Sequence, residues 1–130
     1  MTSSHFTARV YYEDTDFSGN VYHAAYLHFF ERARTEFLRE RGVHHSELVK
    51  DGIAFALRTM TIDFKAAAHI DDLLEVTTEV ASLTAARLNL VQSISRDGAE
   101  ITRAAVQVVA IKTSGGAARM PRELLDLLKA

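Results

Sequence analysis

The sequence predicts an α+β fold in which an antiparallel sheet curves around one long helix. Three observations lead to this prediction: a strand-like segment opens the chain, one long amphipathic segment follows it, and four later segments alternate apolar and polar residues. A helix with a wide apolar stripe needs a broad surface to cover it, and only the later strands offer one. We expect residues 1–130 to form a single domain.

The first predicted strand covers residues 5–12. Every second residue of this segment belongs to one apolar face: Phe6, Ala8, Val10 and Tyr12. The strand ends at the segment DTDFSGN, residues 14–20, which is rich in turn-forming residues. Gly19 within it is able to adopt backbone angles that are closed to other residues.

A long amphipathic helix is predicted from about residue 23 to residue 41. Its apolar residues recur three, four and seven positions apart: Tyr26, Phe29, Phe30, Ala33, Phe37 and Leu38. The opposite side is charged, with Arg32 and Glu36 one turn apart. Gly42 stands where a helix C-cap is expected. The helix therefore presents a strongly aromatic face to the rest of the chain.

Four strands are predicted in the second half of the chain, after a short helical turn at residues 46–51. They cover residues 53–64, 73–83, 87–96 and 99–112, and the Asp97-Gly98 pair predicts a tight turn between the last two. We expect these strands to form an antiparallel meander whose edge the first strand joins, giving about five strands. The closing segment PRELLDLLKA reads as a short helix opened by Pro121.

Composition excludes several classes of function. The formal net charge of −2 gives no positive field for a nucleic acid backbone, so we expect no nucleic acid partner. The chain has no cysteine, which removes disulfides and thiolate nucleophiles and is compatible with a reducing cytoplasm. No leader pattern and no apolar segment of about 18 residues occurs, so we expect a soluble cytoplasmic protein without a transmembrane segment. A monomer of this size leaves much apolar surface uncovered, which favours a homo-oligomer.

Metal and serine-based chemistry are poorly supported. Asp14, Asp16 and Gly19 match the start of a calcium loop, but its twelfth position is Ala25 and a strand precedes the loop. No histidine pair has the spacing of a zinc protease with an intervening acid. There is no G-x-S-x-G motif, and no base is fixed beside Ser18. We therefore expect no metal site.

A carboxylate next to a helix start is the arrangement that remains. Glu13, Asp14 and Asp16 precede the predicted helix, whose first turn carries unpaired N–H groups and partial positive charge. Those groups can hold a carbonyl oxygen on which negative charge develops. A neighbouring carboxylate can then attack the carbonyl or take a proton from an attacking water. On residue type alone, the favoured interpretation is that Asp14 or Asp16 shapes the turn or caps the helix.

The segment YYEDTDFSGNVYHAAYLHFFERAR, residues 11–34, resembles the signature of hotdog-fold acyl-CoA thioesterases of the 4-hydroxybenzoyl-CoA thioesterase type. It is most similar to the YbgC-like, Tol-Pal-associated group of that family. The pattern T-D-x-x-G-x-V-x-H-x-x-Y is matched by Thr15, Asp16, Gly19, Val21, His23 and Tyr26. A weaker resemblance continues through TIDFKAAAHIDDLLEVTTEV and RMPRELLDLL, so that it covers almost the whole chain.

The resemblance implies a hotdog fold, in which a curved antiparallel sheet of five to six strands wraps around one long central helix. It also implies protomers joined edge to edge into dimers or a homotetramer, with active sites between protomers. The implied reaction is hydrolysis of an acyl-CoA thioester to free CoA and a carboxylic acid. Coenzyme A would be part of the substrate, so no separate cofactor is implied.

The resemblance also assigns roles to individual residues. Asp16 is the expected catalytic carboxylate, as nucleophile or general base. His23 is expected to supply its backbone N–H to the oxyanion and to place its imidazole near the reacting carbonyl. Substrate binding is expected from Gly19, Val21, Tyr22 and Tyr26. The phosphates of coenzyme A usually meet Arg or Lys at the mouth of a cleft. Four such residues are available near strand ends, Arg58, Lys65, Arg87 and Arg119, and among them Arg87 is the expected contact.

Two features of the sequence leave alternatives open. Many relatives have Asn where this chain has Ala25, and a proline in the loop that here reads Ala66 to Ala68, so the acyl preference is not assigned.

One alternative function is a non-catalytic hotdog module of the cell envelope that binds acyl-CoA or a protein. Another is a hotdog dehydratase, which the segment TDFSGNVYH fits poorly.

Overall fold

The computed structural model describes residues 3–129, which form five strands and three α-helices. In chain order these are β1 (Ser3–Arg9), α1 (His23–Glu40), α2 (His45–Lys50), β2 (Ile53–Phe64), β3 (Leu73–Leu83), β4 (Arg87–Arg96), β5 (Ala99–Lys112) and α3 (Arg122–Lys129), with a 3-10 turn at Tyr12–Asp14. The bounds predicted for β2 to β5 are confirmed. Within residues 3–129, no helix is both long enough and apolar enough to cross a membrane.

The sheet order is β1-β3-β4-β5-β2, and every neighbouring pair is antiparallel. Strands β3, β4 and β5 form the predicted meander, and β1 joins its edge as predicted. The prediction that β2 precedes β3 in that meander is wrong, because β2 pairs with β5 at the opposite edge. Alternation of apolar residues identifies strands but does not specify which strands become neighbours.

Residues 65–72, here called the crossover loop, carry the chain from β2 to β3 across the end of the sheet. The N–H groups of Lys65 and Ala66 both donate to the carbonyl oxygen of Ile101, at 2.9 and 3.1 Å. Arg96, the last residue of β4, donates to the carbonyl oxygen of Ala67 at 2.8 Å. These bonds hold the crossover loop against the β4–β5 hairpin, which makes the long connection possible.

Helix α1 places its aromatic face on the sheet, where it contacts β1 and β3. Phe29, Phe30 and Phe37 are completely buried there. The helix ends at Glu40, and Gly42 just beyond it caps the helix as predicted, with φ +76° and an N–H that donates to the carbonyl oxygen of Arg39. Packing of this 18-residue helix on the sheet fixes the position of its first turn, where the predicted site residues His23 and Tyr26 lie.

The first strand is shorter than predicted. It ends at Arg9, and Tyr12 is 82% exposed rather than part of an apolar face. The cause is the 3-10 turn, in which the N–H of Asp14 donates to the Tyr11 carbonyl oxygen at 3.0 Å. The Asp14 carboxylate in return accepts the N–H of Tyr11 at 2.9 Å. Asp14 therefore shapes this turn, as the residue type allowed.

Candidate active site

A tight loop of residues 14–21, here called the acidic loop, leads into α1. The N–H of Asp16 donates to the Asn20 carbonyl oxygen at 2.9 Å, and the N–H of Gly19 donates to the Asp16 carbonyl oxygen at 3.1 Å. Gly19 has φ +84°, a conformation that costs a residue with a side chain but not glycine. A single bridge between Thr15 and Val21 closes the loop. The DTDFSGN segment thus forms a defined turn that carries Asp16.

The acidic loop is hydrogen-bonded to the crossover loop. The N–H of Val21 donates to the Ala68 carbonyl oxygen at 2.8 Å, and the N–H of Ile70 donates to the Gly19 carbonyl oxygen at 3.2 Å. Asn20 and His69 form a further antiparallel bridge. The two loops therefore hold each other beside the start of α1.

One open pocket of about 320 Å³ lies between the acidic loop, the first turn of α1 and the crossover loop. Its size is that of a small-molecule site. Five of the residues predicted from sequence lie in its wall: Asp16, Val21, Tyr22, His23 and Tyr26. The rest of the wall consists of Asn20, Phe64, Lys65, Ala66 and Ala67. We call this cavity the catalytic pocket, after the role that is proposed for it below. Among residues 3–129, no group of three or more His, Asp or Glu side chains is placed to hold a metal ion.

The Asp16 carboxylate has one oxygen fixed and one open. Oδ1 accepts the hydroxyl proton of Ser18 and also the Ser18 N–H, the latter at 2.8 Å. The Ser18 hydroxyl, followed by the Ser18 N–H, lowers the pKa of Asp16 below its ordinary value, and the nearby His23 acts in the same direction. No described residue donates a hydrogen bond to Oδ2. Asp16 is therefore an ionised, exposed carboxylate with a free oxygen at the pocket.

Helix α1 starts beside this carboxylate without a side-chain cap. Its N-cap is Tyr22, whose carbonyl oxygen accepts the N–H of Ala25 at 3.0 Å. Within the part of the chain that the structure describes, the N–H groups of His23 and Ala24 donate to no protein acceptor. Free donors at a positive helix end can stabilise a developing oxyanion. One pocket therefore holds both an ionised carboxylate and free N–H donors of the kind that stabilise an oxyanion.

Aromatic rings form another part of the pocket wall. The ring of Phe64 lies 4.9 Å from the imidazole of His23 and 5.3 Å from the ring of Tyr26, measured between centroids. Tyr26 is buried, whereas Tyr22 is 44% exposed. Phe64 was missed by sequence reasoning, although it ends β2 within TIDFKAAAH, the segment that carries the weaker part of the resemblance. Its position at the site depends on the crossover of β2 to the sheet edge.

Two other predicted residues lie outside the pocket wall. Gly19 shapes the acidic loop without lining the pocket. Phe64 of the pocket wall and Ile94 of β4 both pair with Thr102 of β5, so Ile94 marks the level of the pocket on β4. Arg87 starts β4 and lies seven residues before Ile94. At about 3.3 Å per residue, Arg87 is roughly 23 Å along the strand from the pocket. Within one chain, the structure does not bring Arg87 to the other site residues.

Lys65 is the cation that the structure does place in the pocket wall. Its ammonium group pairs with Glu100, which Arg103 also contacts at 2.7 Å. The Arg103 guanidinium and then the Lys65 ammonium lower the pKa of Glu100 to about 2. Glu100 is therefore ionised and compensates much of the charge of Lys65.

Comparison with known proteins decides the family. The model of the thioesterase-like superfamily matches residues 10–128. The chain belongs to the thioesterase-like superfamily. Acyl-CoA thioesterase YbgC of Haemophilus influenzae is 46% identical to this thioesterase-like chain over 107 residues, which are 82% of this chain and 79% of that protein. Acyl-CoA thioester hydrolase YbgC of Escherichia coli O6:H1 is 43% identical over 79% of this chain and 78% of its own length.

The solved structures agree with this membership. A probable thioesterase from Bartonella henselae superposes with a TM-score of 0.86 at 41% identity, covering 92% of this chain and 99% of its own. The predicted hotdog-type thioesterase fold is therefore confirmed as a five-stranded antiparallel sheet with helices. The resemblance to YbgC-like thioesterases is confirmed as well.

Proposed function

We propose that this thioesterase-like protein hydrolyses acyl-CoA thioesters, releasing free coenzyme A and a carboxylic acid. The family membership and the names of its YbgC relatives support this activity. The mechanism rests on one observation: the ionised Asp16 carboxylate and the start of α1, which has no side-chain cap, lie at the same pocket. Coenzyme A is part of the substrate, and the reaction requires no separate cofactor.

The thioester carbonyl oxygen binds at the free N–H of His23, where the helix start stabilises the oxyanion. In one route the open oxygen of Asp16 attacks the carbonyl carbon, the carbon–sulfur bond breaks, and water then hydrolyses the resulting anhydride. In the other, Asp16 takes a proton from water as that water attacks, and the tetrahedral intermediate expels the thiolate. Both routes need an ionised Asp16, which the bonds from Ser18 favour.

The remaining wall residues bind the substrate in this proposal. Val21, Tyr22 and Tyr26 line the acyl group, Phe64 adds an apolar surface, and the His23 imidazole stands beside the carbonyl. Gly19 keeps the acidic loop tight enough for the thioester to approach. Arg87 is distant from the catalytic pocket of its own chain, so in this proposal it contacts the phosphates of a coenzyme A that is bound at the pocket of a second copy.

The proposed assembly follows from the edge strand β2. Residues 1–130 form one hotdog domain whose sheet wraps around α1, and protomers join edge to edge through β2 into dimers or tetramers. Leu57 and Phe64 on β2 are 49% and 41% exposed, so a second copy would bury apolar side chains next to the catalytic pocket. Mass measurement in solution tests the assembly.

The proposed location is the cytoplasm, with which the absence of cysteine is compatible.

The activity is tested by thiol release from short, medium, long and aromatic acyl-CoAs. We expect turnover of at least one class, and we expect Asp16→Asn to reduce kcat at least about a hundredfold. Asp14→Asn is the matched control, because an amide oxygen still accepts the Tyr11 N–H. Equal rates for Asp16→Asn and the parent contradict the mechanism. Tight acyl-CoA binding without turnover across the panel instead supports a non-catalytic binding module of the cell envelope.

A further inference from the structure

Asn20 is a half-buried residue of the catalytic pocket wall that the proposed function leaves unused. Its backbone N–H lies 3.4 Å from the Ser18 hydroxyl oxygen, and its backbone carbonyl oxygen accepts the N–H of Asp16. Its side-chain amide, in contrast, makes no hydrogen bond to any of residues 3–129. Because polar groups that are withdrawn from water normally have a partner, an unpaired amide at a pocket favours a ligand there.

The other asparagine of the chain, Asn89, provides a contrast. It is also half-buried, but it lies on β4 outside the wall of the catalytic pocket. Its Nδ2 donates to the Ser82 hydroxyl at 2.8 Å, and its side-chain oxygen accepts a hydrogen bond from Nε2 of Gln107 at 3.0 Å. The protein thus uses both the donor and the acceptor of Asn89, whereas no described residue uses those of Asn20.

Two main-chain contacts fix the position of Asn20 beside the proposed catalytic groups. The bond from the N–H of Asp16, at 2.9 Å, ties Asn20 to the catalytic carboxylate across the acidic loop. The bridge with His69 ties it to the crossover loop. Asp16 and His23 lie in the same pocket wall as Asn20. The unpaired amide therefore belongs to the cavity in which the thioester is proposed to react.

The chemistry of the substrate limits what this amide can bind. In the proposed reaction, the thioester carbonyl oxygen binds at the N–H of His23, and Asp16 acts on the carbonyl carbon or on the attacking water. In a coenzyme A thioester, the next polar group on the thiol side is the secondary amide of the pantetheine arm, which a short ethylene link joins to the sulfur. That amide has an N–H donor and a carbonyl acceptor, and a carboxamide side chain offers the complementary acceptor and donors.

We propose that the side-chain amide of Asn20 binds this secondary amide and thereby selects the thiol side of the substrate. The inference rests on the proposed hydrolase function and adds a substrate class to it: acyl thioesters of pantetheine-type thiols. A thioester that lacks the amide leaves Asn20 unpaired in the complex. A site that hydrogen-bonds a substrate group discriminates against an analogue without that group. Simple alkyl thioesters are therefore expected to be poor substrates.

A single water molecule suits the amide of Asn20 less well. The catalytic pocket has a volume of about 320 Å³, whereas one water molecule occupies about 30 Å³ of the liquid. A hydrogen bond to one water also leaves part of the amide unpaired. If Asn20 oriented the attacking water, its loss would slow the hydrolysis of every thioester to the same extent. The two roles therefore give different results with substrates that differ only on the thiol side.

The inference is tested with two thioesters of the same acyl group. One is the thioester of N-acetylcysteamine, which retains the amide of the pantetheine arm, and the other has an alkyl chain of equal length in place of the amide. We expect Asn20→Ala to lower kcat/KM at least about fivefold for the amide substrate and less than about twofold for the alkyl analogue. Asn89→Ala is the matched control and is expected to follow the parent with both substrates.

The outcomes separate the role of Asn20 from the proposed function. Equal losses with both substrates assign Asn20 to the attacking water or to the loop and overturn the inference, as does the absence of any loss. The proposed function stands in either case, because the parent still hydrolyses acyl-CoA. Absence of parent turnover with every acyl-CoA overturns the proposed function, and the inference with it.

A second measurement on the parent covers the case in which Asn20→Ala does not fold. The chain contains two asparagines, so isotope labelling of asparagine gives two side-chain NH2 groups in the NMR spectrum. The group that disappears in Asn89→Ala belongs to Asn89, and the other belongs to Asn20. We expect a thioether of N-acetylcysteamine, which cannot be hydrolysed, to shift the Asn20 signals and not those of Asn89. Unchanged Asn20 signals at tens of millimolar thioether overturn the inference.

Discussion

The hydroxyl oxygen of Tyr26 accepts a hydrogen bond from the backbone N–H of Ala68 at 3.0 Å. The carbonyl oxygen of Ala68 in turn accepts the N–H of Val21 at 2.8 Å. One residue of the crossover loop is thus bonded both to the first turns of α1 and to the acidic loop. Tyr26 is 2% exposed, so its bond with Ala68 is shielded from water. This pair ties the crossover loop, whose Ala66 and Ala67 line the catalytic pocket, to α1.

Tyr26→Phe is expected to destabilise the protein by about 1–3 kcal/mol, because it leaves the buried N–H of Ala68 without an acceptor. Urea unfolding measures the change. Tyr22→Phe is the control, since Tyr22 is 44% exposed and its hydroxyl has no hydrogen-bond partner among residues 3–129. Equal stabilities of Tyr26→Phe and Tyr22→Phe would show that the Ala68 bond contributes nothing.

Arg96→Gln is expected to lower kcat/KM for thiol release about tenfold by releasing the crossover loop. Arg96 donates to the Ala67 carbonyl oxygen and to the Asp72 carboxylate, both at 2.8 Å, and Ala67 lies in the pocket wall. Arg39→Gln is the control, because the one ion pair of the Arg39 side chain within residues 3–129 is an exposed pair with Glu36 on α1. The interpretation fails if both variants retain the parent kcat/KM in the thiol-release assay.

Ser18→Ala is expected to move the acid limit of activity to higher pH. The Ser18 hydroxyl is the largest cause that lowers the pKa of Asp16, so its loss raises that pKa toward the ordinary value. A lowered carboxylate pKa keeps Asp16 ionised at neutral pH, and activity disappears only as pH falls through that pKa. The parent is therefore expected to keep its activity to a lower pH than a carboxylate of ordinary pKa would allow.

The measurement is the pH dependence of thiol release by the parent and by Ser18→Ala. Ser114→Ala, in the exposed loop after β5, is the control and should follow the parent curve. Coincident acid limbs for the parent and Ser18→Ala would mean that the hydroxyl does not tune Asp16.

Gly19→Val is expected to destabilise the protein by about 1 kcal/mol or more and to reduce activity, because valine is strained at φ +84°. A Cβ at this position has no heavy atom within 4 Å, so the cost comes from the backbone alone. Gly19→Asn is the matched variant, since asparagine tolerates positive φ better than valine. Thermal unfolding should therefore rank the parent first, Gly19→Asn second and Gly19→Val last. A Gly19→Val variant as stable as Gly19→Asn would contradict this account.

Local pattern was sufficient to predict most elements of this fold. Strands β2 to β5 and the start of α1 lie where alternation and helical periodicity predicted them, because each segment buries one face. The Gly42 cap was also predictable, since few residues adopt its φ of +76°. The alternation of apolar residues predicted that the first strand reaches Tyr12. The strand ends earlier, because the hydrogen bond between Asp14 and Tyr11 favours a turn at these residues.

Most elements, the family resemblance and the turn that carries Asp16 were predictable from residues that are close together along the chain. The place of β2 at the far edge, the contact of Phe64 with His23 and the distance of Arg87 from the catalytic pocket arise only when the chain folds. Strand partners are chosen by long-range hydrogen bonding and packing, which periodicity does not encode.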